Sequence, residues 1–308
     1  MPMKSILKPF VLFPVILIFF ATVSCKKKDT STEEFSFAFL TDIHVQPEKN
    51  AAEGFRKAID RVNRLQPDFV ITGGDMIMDA LNQRESRVDS LYSLYDSLSA
   101  LIQVPVYNTI GNHEIFGYHP KSGIDPSHPL YGKKMYEQRI GKRFYAFDHK
   151  GWRFYILDSI EKDHEGVYIG KVDSVQLEWL DRDLGGVNPS TPIVVVMHIP
   201  LITVQTQLLA GSTVPNGESL VVVNSKEVLD RFADHNLKLV LQGHLHFLEE
   251  ISAMGARFIT GGAVCASWWN GPRLGMEEGF VMIHVKGNKF NWEYVDYGWE
   301  VPQQESDS

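Results

Sequence analysis

The stretch FSFAFLTDIH, residues 35–44, decides how the rest of the chain is read. Its first six residues, Phe35 to Leu40, form a short apolar run of the kind found in buried strands. The run stops at a turn carrying Asp42 and His44, both of metal-ligating type. The same arrangement returns four times further along. Asp68–Thr72 runs into Gly73, Gly74 and Asp75, and Val104–Ile110 into Gly111, Asn112, His113 and Glu114. Ile193–Met197 runs into His198, and Leu237–Leu241 into Gly243, His244, Leu245 and His246.

Between these runs the period changes from strand to helix. Ala51–Leu65 carries Phe55, Ile59 and Val62 on one face, and Arg84–Ile102 carries Val88, Leu91, Leu94 and Leu98 at three- and four-residue steps. Strand, helix, strand, helix, strand predicts βαβ units and a largely parallel sheet. Further on, Phe144–Phe147 and Trp152–Leu157 predict a hairpin turning through Asp148 to Gly151. Helices are predicted at Val172–Leu184 and Lys226–His235, a strand at Arg257–Thr260, and a final hairpin, Phe280–Val285 with Phe290–Val295, around Gly287 and Asn288. Residues 117–134 and 203–219 are rich in Gly, Pro and Ser and read as loops. Neither an internal repeat nor a strong linker is visible. The chain divides into a targeting segment (1–24), a tether (25–34), one domain (35–300) and a polar tail (301–308).

In open α/β sheets the carboxyl ends of the strands form one rim, where ligands bind. Taken singly, each block has an ordinary explanation: Asp-x-His as a surface turn, Gly-Gly-Asp as a tight turn, Asn112 as a helix cap. Their joint occurrence, each directly after a buried strand, points to one polar site. Carboxylate and imidazole donors without thiolate suit borderline divalent ions such as Mn, Fe or Zn. A carboxylate shared by two cations holds them about 4 Å apart, the spacing used for phosphoryl displacement. Such a pair polarises phosphate oxygens and supplies a bridging hydroxide near neutral pH.

The five blocks, in this order, resemble the signature of the calcineurin-like metallophosphoesterases. The resemblance runs from about Phe35 to Asp296 and is specific to the superfamily, not to a substrate. It implies a four-layer α/β/β/α sandwich, two mixed β-sheets flanked by helices, with the site at one rim. Carried over by position, it puts Asp42, His44 and His246 on one metal and Asn112, His198 and His244 on the other, with Asp75 bridging. His113 is then the general acid, or a stabiliser of developing charge. One departure concerns subtype. The purple acid phosphatases carry a tyrosine three residues after the bridging Asp, where this chain has Met78, which argues against a ferric-phenolate site. Asp79 reads as an acid capping the following helix, and Ile199 stands where some relatives have a second histidine.

Beyond the ligands, Trp269 and Arg273 are candidates for a substrate-binding wall, stacking on a planar group and pairing a phosphate oxygen. Trp268 reads as a core anchor of the same Gly-rich stretch. Tyr118, with His119 and His128 in the long loop, is a further candidate.

Composition sets outer limits. The chain has 308 residues, 44% hydrophobic, with net charge −8, enough for a sizeable core and without long-range attraction for polyanions. No nucleic-acid partner is expected; the expected partner is a small phosphorylated substrate. Lys4 and Lys8 precede an apolar run from Pro9 to Val23, and Ser24–Cys25 follows it, as in a bacterial lipoprotein signal. The protein is therefore expected to be exported to the cell envelope, with Cys25 lipidated and the membrane met only through that anchor. Residues 1–24 hold two lysines and no acid, so the remainder carries −10. With Cys25 committed, Cys265 has no disulfide partner and reads as a small buried hydrophobe. The two function classes are a phosphoesterase, acting on mono- or diesters, and a non-catalytic metal- or phosphate-binding lipoprotein. The full set of ligands and proton donor favours the first.

Overall fold

A computed structural model describes residues 33–163 and 166–302; the segment 1–24 expected to be a targeting signal, and Cys25, lie outside the described residues. Two large sheets carry the fold. The first is built from β1 (Glu34–Leu40), β2 (Phe69–Thr72), β3 (Val106–Tyr107), β12 (Gly279–Lys286) and β13 (Lys289–Asp296), in the order β13-β12-β1-β2-β3. The second contains β4 (Tyr145–His149), β5 (Trp152–Ile156), β8 (Pro192–Val196), β9 (Asn236–Gln242), β10 (Leu248–Ala253) and β11 (Ala256–Gly261), ordered β10-β11-β9-β8-β5-β4. A small pair, β6 (Ile160–Lys162) and β7 (Tyr168–Gly170), stands apart.

Why β1 sits at the centre follows from its residues. Successive side chains of a strand point to opposite faces, and both faces of β1 are apolar. Phe35, Phe37 and Phe39 enter the core between the two sheets, where Phe37 stacks on Phe69 at 5.0 Å. Ala38 and Leu40 point the other way, into the layer shared with α1 (Ala51–Leu65) and α2 (Glu85–Ser99). On the second sheet Phe154, Val194 and Leu239 face the shared core, while Tyr155, Val195 and Val240 face outward toward α4 (Ser174–Leu184) and α6 (Ser225–Arg231). Two sheets face to face, each covered by helices, make the four layers that the resemblance implied. Two shorter helices, α3 (Lys134–Arg139) and α5 (Gln205–Ala210), complete the elements.

The largely parallel sheet expected from periodicity is corrected to two mixed ones. β1-β2-β3 and β11-β9-β8-β5 are parallel, whereas β12, β13, β4 and β10 join antiparallel. Strand periodicity reports which residues are buried and is silent on partners; β12 pairs with β1 across most of the chain. The third strand is shorter than expected because its ladder is interrupted. Past Tyr107 the Thr109 N–H donates to the Thr72 hydroxyl, 3.1 Å, and Asn108 accepts from Tyr95 Oη at 2.6 Å. The first hairpin runs two residues further than expected. His149 pairs with Trp152, leaving a two-residue turn at Lys150 and Gly151, both with positive φ. Glu34, assigned to the tether, is already in β1, and Trp299 packs on Trp269, so the fold reaches nearly to residue 300.

Candidate metal centre

All five blocks emerge at the carboxyl ends of their strands, β1, β2 and β3 from one sheet and β8 and β9 from the other, so the rim of the sandwich gathers them. The turns are laced together by backbone bonds: Asp42 N–H to Gly74 C=O at 3.1 Å, His44 N–H to Asp75 C=O at 2.9 Å, and Gly243 N–H to His198 C=O at 2.9 Å. Approach this close demands small residues. A Cβ on Gly111 would stand 2.2 Å from the Asp75 nitrogen, and Gly74 adopts φ +90° against His198. Asp42, His44, Asp75, His244 and His246 all hold left-handed backbone conformations. These are costly for residues with a Cβ and persist where the surroundings over-determine them, most often at functional sites.

The side chains converge in two groups joined by one carboxylate. His44 Nε2 and His246 Nε2 face each other at 3.0 Å, with Asp42 Oδ1 3.4 Å from His246 Nε2. His198 Nε2 lies 3.1 Å from Asn112 Oδ1, and ligating atoms of Asp75, His198 and His244 fall within 4.8 Å of one another. Asp75 Oδ2 stands between the groups, 3.0 Å from His198 Nε2 and 3.7 Å from His44 Nε2.

Charge within the cluster is shared out by burial and proximity. Burial opposes ionisation of Asp75, but His198 and His113 outweigh it and hold the carboxyl well below the usual carboxylate range. Burial works against charge on His198 too, and Asp75 overrides it, raising the group to about 9. His244 is pushed down to about 4 by burial and by His198, and His44 is pushed well down by burial and His113.

The donor set fits divalent metal. His244 Nε2 donates to Ser219 C=O at 2.9 Å, whereas its Nδ1 is buried without a partner, as a lone pair reserved for a cation would be. The outer nitrogens of His198 and His246 donate to Gly73 C=O and Ala266 C=O, at 2.8 and 2.6 Å, turning each Nε2 inward. Two histidine nitrogens on one ion, each about 2.0–2.1 Å from it, come about 3.4 Å apart; the 3.0 Å between His44 and His246 is close to that. Asp42 is further held by Thr41 Oγ1 at 2.6 Å and by the His244 N–H at 3.0 Å.

His113 lies at the edge of the cluster, a quarter exposed. Its Nδ1 donates to Met78 C=O at 2.5 Å, which leaves Nε2 pointing inward, 3.9 Å from Asp75 Oδ2. Asp79 does not cap the helix, as its position suggested. Its carboxylate accepts the Leu81 N–H at 2.8 Å and stands 3.8 Å from His113 Nδ1, while α2 begins only at Glu85, without a side-chain cap. Glu114 is fully buried; its carboxylate accepts the N–H groups of Gly111, Asp75, Met76 and Ile77 and clamps two ligand turns together.

The tryptophan assignments are reversed. Trp269 is 1% exposed, lies against Gly54 of α1 and donates Nε1–H to His44 C=O at 3.1 Å, so it is the anchor. Trp268 is half-buried with its ring 4.5 Å from His246 and 6.2 Å from His44. Alternating direction cannot be read from two adjacent tryptophans on an irregular turn. Arg273 stacks on Trp268, with its guanidinium carbon 4.8 Å from the ring centre. Tyr118 packs instead against Tyr131 and Lys162, away from the histidine cluster. Cys265 is buried behind His246, its Sγ 3.9 Å from His246 Nδ1, and burial pushes the thiol up, as expected of an inert cysteine.

Comparison with known proteins agrees with this geometry. The sequence matches the calcineurin-like phosphoesterase family over residues 35–248, and the chain belongs to that family. It is a metal-dependent phosphoesterase. Among solved structures it is similar to a dimetal phosphatase from Danio rerio, with a TM-score of 0.54 at 17% identity, covering 86% of this chain and 99% of that one. It is also similar to GAP50, the anchor in the inner membrane complex of Plasmodium, with a TM-score of 0.53 at 15% identity, covering 87% and 86%. Likeness at this identity speaks to the fold. No curated protein sequence matches the chain significantly.

Proposed function

We propose that the protein hydrolyses small phosphate esters with two divalent cations, Mn, Fe or Zn. Asp42, His44 and His246 would hold one, Asn112, His198 and His244 the other, with Asp75 shared between them. The position of Asp75 Oδ2 between the two histidine groups carries this reading. When bound, the cations supply hydroxide at neutral pH and neutralise charge on the phosphoryl group. The protein contributes the rest. The carbonyls of Gly73, Ser219 and Ala266 set the tautomers of His198, His244 and His246. Met78 C=O sets that of His113, whose Nε2 is directed to donate a proton to the leaving oxygen, with the Asp79 carboxylate 3.8 Å from its Nδ1. Export and a lipid anchor at Cys25 belong to the same proposal; the signal pattern supports them, and tritiated palmitate labelling lost in Cys25→Ala tests them.

The enzymatic test is turnover of p-nitrophenyl phosphate and bis-p-nitrophenyl phosphate by the metal-loaded full chain beside Asp75→Asn. Metal-dependent turnover falling at least about a hundredfold in the variant is expected. The ratio between the two esters reports mono- or diesterase preference. Equal turnover by both proteins sinks the bridging role.

A further inference from the structure

We propose that Trp268 and Arg273 form a second anion-binding subsite, so that the preferred substrate carries another phosphoryl or carboxylate group beside the ester that is cleaved. This rests on the dinuclear reading above, but its residues lie beyond residue 248, where the family match ends.

The first observation is that Arg273 is uncommitted. Arg143, Arg153 and Arg257 each pair with carboxylates at 2.6 to 2.9 Å. The Arg273 side chain makes no hydrogen bond or ion pair among the described residues, and its Nε is covered and unpartnered. Burying a guanidinium nitrogen without a partner is costly; the two terminal nitrogens are not covered in this way, and an anion offered from solvent would pair with them in the geometry that arginine favours.

Location is the second observation. The guanidinium stacks on Trp268, and the Trp268 ring in turn lies at 33° to the imidazole of His246. The two spacings, 4.8 and 4.5 Å, keep the guanidinium carbon within about 9 Å of that ring. A phosphoryl group at the ligand cluster therefore has the cation within reach of a neighbouring anionic substituent.

The third is that the local backbone is built to hold this pose. Ala266, Trp268, Trp269 and Leu274 have positive φ, an unusual density for residues with side chains. The strain is restrained on both sides of Trp268. Trp269 is sealed against α1 and bonded to His44 C=O, and Asn270 accepts from Lys49 Nζ at 2.9 Å. With Trp269 locked inward, Trp268 is turned toward the ligands, and Arg273 is fixed by its reciprocal backbone pair with Met276 at 2.9 Å.

The subsite is tested with ethyl phosphate, 2-phosphoglycolate and ethyl diphosphate as competitors of p-nitrophenyl phosphate hydrolysis by the metal-loaded full chain. The wild type is expected to bind at least one doubly charged competitor about tenfold or more tighter than ethyl phosphate. In Arg273→Gln that gap should shrink to about twofold or less, and in Trp268→Ala it should narrow, because the guanidinium loses its platform. A gain for ethyl diphosphate alone identifies a phosphoryl partner; a gain for both extends it to carboxylate. No gap in the wild type, or a gap kept in Arg273→Gln and so owed to the metals, overturns the proposal. Should the loaded wild type hydrolyse nothing, the dinuclear reading fails on its own account. The same competitors are then compared by shift in melting temperature, where dependence on Arg273 still decides the subsite.

Discussion

Consider Gly111→Ala, which adds one methyl group where the two ligand turns cross. Gly111 has φ −111° and ψ −179°, so alanine suits the backbone and the whole effect comes from contact. The new Cβ would meet Asp75 N at 2.2 Å, Asp75 Oδ1 at 2.3 Å and Glu114 Oε2 at 2.9 Å. Ordinary non-bonded separations are about 3.5 Å, so the turns must part by about 1 Å. Parting them weakens the bonds from Asp75 N–H and Gly111 N–H to Glu114, 2.9 and 2.7 Å, and from His113 N–H to Asp75 Oδ1, 2.8 Å. Overpacking costs about 1–3 kcal/mol and one lost bond to a charged acceptor about 1.5–3 kcal/mol. The sum, about 2.5–6 kcal/mol, reaches only the low end of domain stabilities, about 5–15 kcal/mol. The protein should therefore fold with a lowered melting temperature. Function suffers more, because metal–ligand distances tolerate only about 0.2 Å and Asp75 moves several times that. Metal affinity should fall about 10- to 100-fold and kcat/KM at least about a hundredfold. Metal content after dialysis and turnover at saturating metal measure the two. Gly217→Ala is the control, since its Cβ would come no closer than 3.9 Å to Leu220. A Gly111→Ala protein that keeps two metals at wild-type affinity and turns over normally would refute the argument that crossing turns position Asp75.

Other expectations are as direct. Trp269→Ala should cost about 3–5 kcal/mol in chemical denaturation, since it empties a fully buried indole site and leaves His44 C=O without its donor. Chelation should remove the mass-action stabilisation, about 2.7 kcal/mol per site at metal a hundred times Kd, and so lower the melting temperature, and Asp75→Asn should respond far less. Asp173 caps α4 through Gln176 N–H at 2.8 Å and pairs with Arg143 at 2.8 Å. Burial opposes its ionisation, but the Gln176 N–H and Arg143 hold it below the usual carboxylate value. A depressed carboxyl contributes stability above its unfolded value, near 3.8, and loses it as pH falls through the folded one. Asp173→Asn, which keeps the cap and drops the charge, should be less stable than wild type at pH 7 and approach it below about pH 4 in urea titrations.

Much of the cluster could be read in the sequence because each candidate ligand directly follows an apolar strand. That adjacency is local, so the blocks holding Asp42, His44, Asp75, Asn112, His198, His244 and His246 stood out as candidates without knowing which strands pair, and the family resemblance implied a role for each. The amphipathic helix Ala51–Leu65 was legible residue for residue for the same reason. What the tertiary structure alone decided depends on partners distant in the chain. The final hairpin docks beside β1 and turns an expected parallel sheet into two mixed ones. Asp79 leaves the helix it precedes for a turn beside His113, because the chain continues through Leu81 before α2 begins. Trp268 and Trp269 exchange roles, since only the packing of one indole against Gly54 and Trp299 determines which way the other faces. Burial and hydrogen-bonding types are written residue by residue, whereas direction on a strained turn is set by whatever the rest of the fold brings against it.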